Sequence, residues 1–218
     1  GGDENFLLYG VDVATGKERN YTPFEKTRVL LVGASYAMKD QILIGLNNRN
    51  PQYHDVHLLN LKTGETKEVM RNDAYAGFVA DDTLTLRMAL RSNPAGGQDY
   101  FNIVDGKVEE KPFASTALED SLTTSPAGFT NDGSTLYWID SRDRNTAALF
   151  AQDMKSGKRS MIAENSKADI GGTLRDPKTG VVEGYSVNYL KNEWTILDKD
   201  IADDWKLLDS KLEGDFGR

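Results

Sequence analysis

Apolar residues along the chain follow a period of two. Three segments place apolar side chains two positions apart, at Ile44 and Leu46, Leu86 and Met88, and Tyr137 and Ile139. This spacing predicts β-strands with one buried face. A short polar turn precedes each segment, and another short apolar segment precedes each turn. Helical periodicity is absent until "DDWKLLDSKL", residues 203–212, where a short helix is predicted.

A five-residue pattern recurs between the predicted strands: Asp or Asn, an apolar residue, any residue, then Thr, Ser or Asp, and finally Gly. It starts at Asp12, Asn60, Asn102 and Asp153 and ends at Gly16, Gly64, Gly106 and Gly157. The starting positions are 48, 42 and 51 residues apart. The Asx side chain can bond the backbone two residues on, and glycine accepts a positive φ. Each copy therefore predicts a hairpin turn.

An arginine stands eleven residues before each of the last three copies of the pattern. These are Arg49, Arg91 and Arg142. Matched positions in a repeat favour a structural role, in which each arginine fixes a loop by bonding the neighbouring strand or the Asx turn. The alternative is that the three arginines line a binding surface.

Together the patterns give one unit of four antiparallel strands in about 45 residues, which is typical of a β-propeller blade. We therefore predict an all-β fold: a single partial β-propeller of four-stranded antiparallel blades with a short C-terminal helix. The predicted boundaries are 1–24 for a half blade, 25–70, 71–115 and 116–165 for three blades, and 166–218 for a partial blade plus the helix.

The incomplete blades at both ends leave two alternatives. The chain can form an open arc whose edge strands lack partners, or its terminal half blades can pair into a composite fourth blade. The open arc is the favoured expectation. Exposed edge strands recruit other chains, so we also expect self-association through those edges.

Composition and charge restrict the classes of partner. The 218 residues carry a net charge of −8, so binding to a nucleic acid backbone is not expected. No apolar run approaches the ~20 residues of a membrane span, and no membrane partner is expected. The chain has no cysteine, which excludes disulfides, thiolate metal sites and a cysteine nucleophile. Both the cytoplasm and the periplasm are compatible with this composition, and the cytoplasm is favoured.

The stretch "VGASYA" partly matches the G-x-S-x-G elbow that presents a nucleophilic serine in α/β-hydrolases. However, Ser35 occupies the first-strand position of its repeat unit, and a turn into another strand follows it. The last glycine of the elbow is replaced by Ala37, and both histidines lie within 25 residues of Ser35. We therefore predict that Ser35 is not a nucleophile, and no residue of the chain is predicted to be catalytic.

Two short polar clusters contain residue types that can bind metal ions. His54 and His57 could serve zinc, but residues three apart on a strand face opposite sides, so polar residues at a strand start are the preferred interpretation. The acidic run from Asp198 to Asp204 lacks the glycine and glutamate of a calcium loop. There, Asp200, Asp203 or Asp204 is predicted at a helix N-terminus. No metal and no cofactor are expected.

Longer strings resemble a known family. The segments "GDENFLLYGVDVATGKERNYTPF", "ILIGLNNRNPQYHDVHLLNLKTGE", "STLYWIDSRDRNTAALFAQDMKSGKR" and "VNYLKNEWTILD" resemble the N-terminal β-propeller of prolyl oligopeptidase family serine peptidases, in the acylaminoacyl-peptidase-like branch. In that family the propeller caps a C-terminal α/β-hydrolase domain, which carries the catalytic triad, and restricts access to peptides.

The resemblance implies that this chain is a non-catalytic fragment of a larger serine peptidase. Its expected partners are the hydrolase domain, which this sequence lacks, and the peptide substrates of the parent enzyme. No catalytic residue of the family maps onto a position here. The alternative function is a stand-alone propeller that binds other proteins.

Overall fold

The computed structural model describes residues 3–211. These described residues divide into two compact units, one within residues 1–93 and 99–115 and the other within residues 94–98 and 116–218. The prediction for Leu212, the last residue of the expected helix segment, falls outside the described residues.

Five antiparallel sheets follow one another along the chain. The first unit contains β1 (Tyr9–Val11) and β2 (Glu18–Asn20), then β3 (Val29–Ala34), β4 (Gln41–Asn50), β5 (Tyr53–Asn60) and β6 (Thr66–Met70), then β7 (Gly77–Ala80), β8 (Leu86–Ser92), β9 (Gln98–Val104), β10 (Lys107–Val108) and β11 (Ala114–Thr116). The second unit contains β12 (Ser125–Phe129), β13 (Thr135–Asp140), β14 (Ala148–Asp153) and β15 (Arg159–Ala163), then β16 (Ile170–Arg175), β17 (Val182–Asn188), β18 (Asn192–Ile196) and helix α1 (Lys199–Lys211).

The strand counts of these sheets vary around four. Sheets β3–β6 and β12–β15 each have four strands in sequence order, joined by hairpins. In the sheet that starts at β7, β10 and β11 both pair with β9, so two short pieces replace a single outer strand. The β16–β18 sheet has three strands, and β1 and β2 form a two-stranded hairpin.

Strand β4 contributes side chains to two apolar clusters of the first unit because successive side chains point to opposite faces. Leu43 packs with Val56 of β5 and with Phe101 and other residues of the β7–β9 sheet. Its neighbour Ile44 belongs to a second cluster, which the β1–β2 hairpin covers with Leu8 and Tyr21 among others. Because β4 is buried on both faces, its sequence is a nearly continuous apolar run and not a strict alternation of apolar and polar residues.

In the second unit, the β12–β15 and β16–β18 sheets share one apolar cluster. Leu149 of β14 and Ile170 of β16 are completely or almost completely buried there, together with Tyr137, Val182 and Val187. The indole of Trp138 is fully buried and donates its Nε1–H to Gln152 at 2.9 Å, so its polar atom is satisfied.

The predicted fold class is confirmed: antiparallel propeller-type sheets with a short C-terminal helix. The helix begins earlier than expected, at Lys199, and Asp198 accepts the backbone N–H of Asp200 at 2.8 Å. Asp200 lies in the first turn as predicted, but Asp203 and Asp204 lie inside the helix. Within residues 3–211, no helix is both long and apolar enough to span a membrane.

Candidate functional site

Three of the four predicted Asx–Gly turns share one geometry. The residues Gly16, Gly64 and Gly157 have φ between +69° and +80°, and each donates its N–H to the carbonyl of the Asx residue four positions before it. The Asx side chain also bonds within the turn: Asp12 Oδ1 accepts both the N–H and the hydroxyl of Thr15, at 2.8 and 2.7 Å. These bonds lower the pKa of Asp12, first through the Thr15 hydroxyl. The turns therefore satisfy their own polar groups.

The fourth copy of the pattern folds differently. Asn102 lies inside β9, and the chain reverses over Asp105 and Gly106, which have φ of 49° and 72°. Val104 pairs directly with Lys107, so this is a two-residue hairpin turn. The Asn102 side chain instead donates to Glu109 at 3.0 Å. The Asp–Gly dipeptide already provides a tight turn, which leaves Asn102 in the strand.

A further turn with the same geometry joins β16 and β17 and was missed by the sequence pattern. Asp176 Oδ1 accepts the backbone N–H groups of Lys178 and Thr179, and Gly180 donates to the Asp176 carbonyl with φ of 72°. The string "DPKTG" has Pro177 where the pattern demanded an apolar residue. A pattern that required only Asx, Thr or Ser, and Gly would have found it.

Arg49 forms the most extensive ion-pair network of the first unit. Its Nε and Nη2 atoms donate hydrogen bonds to the two carboxylate oxygens of Asp55 at 2.6 and 2.7 Å, and Nη1 donates to Asp73 at 2.7 Å. The Asp55 side chain is only 2% exposed, and the bond from Arg49 lowers its pKa. Arg49 also donates to the carbonyl of Asn72 at 2.6 Å. The network ties the loop after β6 to the β4–β5 hairpin.

Arg142 is bound to a buried carboxylate on its own strand end. Its Nε lies 2.9 Å from Asp140 Oδ1, and Arg159 bonds the same carboxylate. Burial alone would raise the pKa of Asp140, but the hydrogen bonds from Arg142, together with the charges of Arg142 and Arg159, outweigh it and lower the pKa to about 2. The guanidinium groups also lie over aromatic rings: Arg142 over Trp138 and Arg159 over Phe150.

Arg91 has a third kind of environment. It is exposed, and its guanidinium carbon lies 4.6 Å from the ring centroid of Phe101. The three arginines at matched positions therefore have different partners: a bidentate carboxylate, an aromatic ring, and a carboxylate shared with a second arginine.

Ser35 makes contacts with backbone atoms. Its hydroxyl donates to the Asp82 carbonyl and accepts the N–H groups of Ala37 and Met38 at 3.0 and 3.2 Å. Ser35 therefore closes the β3–β4 turn, and its bond to Asp82 links that turn to the segment between β7 and β8 of the next sheet. The hydroxyl oxygen is committed to these bonds, and none of them, among the described residues, joins Ser35 to a side-chain base.

The two histidines lie on opposite faces of β5, as the spacing predicts. Burial lowers the pKa of His54, and the nearby charge of Arg28 adds to the effect. His57 Nδ1 lies 3.2 Å from the carbonyl oxygen of Asp55. Over residues 3–211, no group of three or more metal-ligating side chains has the geometry to hold a metal ion.

The comparisons with known proteins point to peptidases. The sequence is 47% identical over 216 residues to dipeptidyl aminopeptidase BIII from Pseudoxanthomonas mexicana, a match that covers 99% of this chain and 31% of that protein. The chain is homologous to part of an aminopeptidase. Dipeptidyl peptidase family member 6 from Caenorhabditis elegans is 24% identical over 222 residues, covering 95% of this chain and 30% of that protein. The chain thus spans about a third of the length of these relatives. No family model matches it.

A solved structure supports the fold independently. The structure of TolB from Acinetobacter baumannii superposes with a TM-score of 0.61 and covers 90% of this chain and 47% of that one. The sequences are only 11% identical, so this likeness concerns the fold alone.

Proposed function

We propose that this chain is the non-catalytic propeller portion of a dipeptide-releasing serine peptidase of the prolyl oligopeptidase family, and that it restricts access to a hydrolase domain outside the chain. The observation that carries the proposal is the 47% identity to a dipeptidyl aminopeptidase over nearly the whole chain. The relatives' names favour release of dipeptides over the acylaminoacyl chemistry expected from the sequence.

The contacts of the described residues support a role without chemistry. Ser35 is bonded to backbone atoms, and the carboxylates Asp55 and Asp140 are neutralised by arginines. None of these groups is poised to attack or to move a proton. The chemistry of the parent protein is accordingly assigned to residues beyond this chain.

The first experiment separates a catalytic chain from a non-catalytic one. We expect the purified chain to leave a dipeptidyl p-nitroanilide uncleaved and to resist labelling by a fluorophosphonate, while the longer protein reacts with both. Ser35→Ala is the matched variant. Labelling of the chain that disappears in this variant would overturn the proposal.

The second experiment tests whether the propeller restricts the access of substrates to the hydrolase domain. The longer protein should cleave a short peptide far faster than a folded protein that carries the same N-terminal residues, because a propeller that restricts access admits only unfolded or small substrates. Equal kcat/KM values for the two substrates would show that access is not restricted.

A further inference from the structure

Arg91 has no carboxylate partner, although the arginines at the two matched positions each have one. Arg49 binds the carboxylate of Asp55, which is 2% exposed. Arg142 binds that of Asp140, which is also 2% exposed. Among the described residues, Arg91 forms no ion pair and no hydrogen bond, and it is exposed. All five N–H donors of its guanidinium therefore remain available to a group from outside the chain.

The sequence accounts for this difference between the repeat units. The aspartate that binds Arg49 lies six positions after it, and the corresponding residue after Arg91 is Gly97. The aspartate that binds Arg142 lies two positions before it, and the corresponding residue before Arg91 is Ala89, which is buried in the apolar core. Neither glycine nor alanine can supply a carboxylate. The unit that contains Arg91 thus keeps the arginine and lacks both of the acidic positions that neutralise it elsewhere.

A third acidic position is occupied by other contacts. Asp99 lies two residues from Phe101 on β9, on the same face of the sheet. Its Oδ1 atom accepts the hydroxyl of Ser115 at 2.8 Å and the side-chain amide of Asn93 at 3.3 Å. The ion pairs of the part of the chain that the structure describes include none between Asp99 and Arg91. Asp99 therefore joins β9 to β11 instead of neutralising the arginine.

The surroundings of Arg91 hold its guanidinium in place. Its guanidinium carbon lies 4.6 Å from the ring centroid of Phe101, whose side chain is 1% exposed. Tyr75 packs edge to face against the same ring at 5.6 Å, so the ring is fixed. Strand β8 is paired with β7 on one side and β9 on the other, and Arg91 therefore does not lie on an unpaired sheet edge. An aromatic ring attracts a guanidinium and leaves its N–H groups able to donate.

We propose that Arg91 binds the carboxylate of a peptide, and that this peptide is a substrate of the parent enzyme. The chemical class follows from the comparison within the chain, because both matched arginines are bound to carboxylates. A guanidinium donates two parallel hydrogen bonds to the two oxygens of such a group. The choice of a peptide rests on the proposed function, since a peptidase binds peptides and an unblocked peptide ends in a carboxylate.

NMR titration of the purified chain tests the binding directly. The ligand is N-acetyl-trialanine with a free C-terminal carboxylate, and its C-terminal amide is the control ligand. The Nε–H resonance of Arg91 and the backbone amide of Ser92 should shift with the acid and not with the amide, because only the acid carries an anion. This measurement does not depend on peptidase activity.

Two variants locate the binding. Arg91→Gln should remove the shift of Ser92 that the acid causes. Arg71→Gln removes the same charge from another exposed arginine, whose Nε lies 3.7 Å from Asp73, and it should bind the acid as the wild type does. If the acid causes no shift, or if the shift of Ser92 is unchanged in Arg91→Gln, then Arg91 does not bind carboxylates and the proposal is wrong.

The longer protein tests whether the bound carboxylate belongs to the substrate. Its kcat/KM for a tetrapeptide with a free C-terminus should exceed that for the amidated peptide by about two- to fivefold, the range expected for one exposed ion pair. Arg91→Gln should cleave both peptides equally, and Arg71→Gln should keep the preference. A wild-type protein that cleaves both peptides equally would refute the substrate role and leave the proposed function intact. A longer protein that cleaves neither peptide would overturn the proposed function, and with it the substrate assigned to Arg91.

Discussion

A cysteine pair can join two sheets of the first unit across their packed faces. An ideal Cβ on Gly33 of β3 would lie 3.5 Å from the Cβ of Ala80 in β7. This value is at the lower end of the 3.5–4.5 Å range found in disulfides. The next nearest atoms to that Cβ, both in Leu43, are at ordinary contact distances of 3.6 and 3.8 Å. Because the chain has no cysteine, Gly33→Cys combined with Ala80→Cys can form one disulfide only.

The expected magnitude follows from the length of the closed loop. The bond encloses about 48 residues, and the loss of unfolded-chain entropy for such a loop stabilises the native state by about 4 kcal/mol. For a domain of this size, that gain raises Tm by roughly 8–16 °C. Strain in the bond would lower the gain.

Calorimetry of the oxidised and reduced double variant measures the effect, with Gly33→Cys alone as the control. The oxidised form should melt higher, and reduction should remove the difference. If titration shows two free thiols after oxidation with glutathione, the described packing of β3 against β7 is wrong. If the bond forms without raising Tm, the packing stands and the loop-entropy argument is wrong.

Three further substitutions have expected outcomes of different sign. Asp140→Asn leaves Arg142 and Arg159 without their shared anion and should lower the free energy of unfolding in urea at pH 7 by about 3 kcal/mol. Since the folded pKa of Asp140 is about 2, below its unfolded value, the stability advantage of the wild type should shrink as pH falls from about 4 toward about 2. A difference that stays constant with pH would contradict the ion pair. Leu84→Gly relieves a φ of 59° but removes a side chain that is 7% exposed, so a net loss of about 1–3 kcal/mol is expected from thermal unfolding. Lys26→Gly relieves a similar φ of 52° at an exposed position, and stability should rise by up to about 1 kcal/mol; a loss there would contradict the strained backbone.

The strands and most turns could be predicted because they depend on local chemistry. Spacing of two identified β4, β8 and β13, and the Asx–Gly pattern identified turns whose bonds lie within five residues. Asn102 was misplaced because Asp105 and Gly106 form a tighter turn than the pattern assumes. Helix α1 starts earlier than expected because Asp198, rather than a later aspartate, accepts the N–H of Asp200 in the first turn.

The environments of the arginines could not be predicted because their partners lie at unrelated distances along the chain. Arg49 bonds Asp73, 24 residues away, whereas Arg142 bonds Asp140, two residues away. The matched spacing from each arginine to its Asx–Gly pattern predicts the position of the arginine at the end of a strand. The position of the nearest carboxylate depends on loops that differ between the sheets.

The two-sided burial of β4 bears on how substitutions in this protein combine. Leu43 and Ile44 are adjacent in sequence but belong to different apolar clusters, and among residues 3–211 these two clusters have no member in common. Double-mutant cycles should give nearly additive energies for this adjacent pair and a measurable coupling between Leu43 and Phe101. Among related proteins, position 43 should therefore covary with the β8–β9 segment, and position 44 with the hairpin that contains Leu8 and Tyr21.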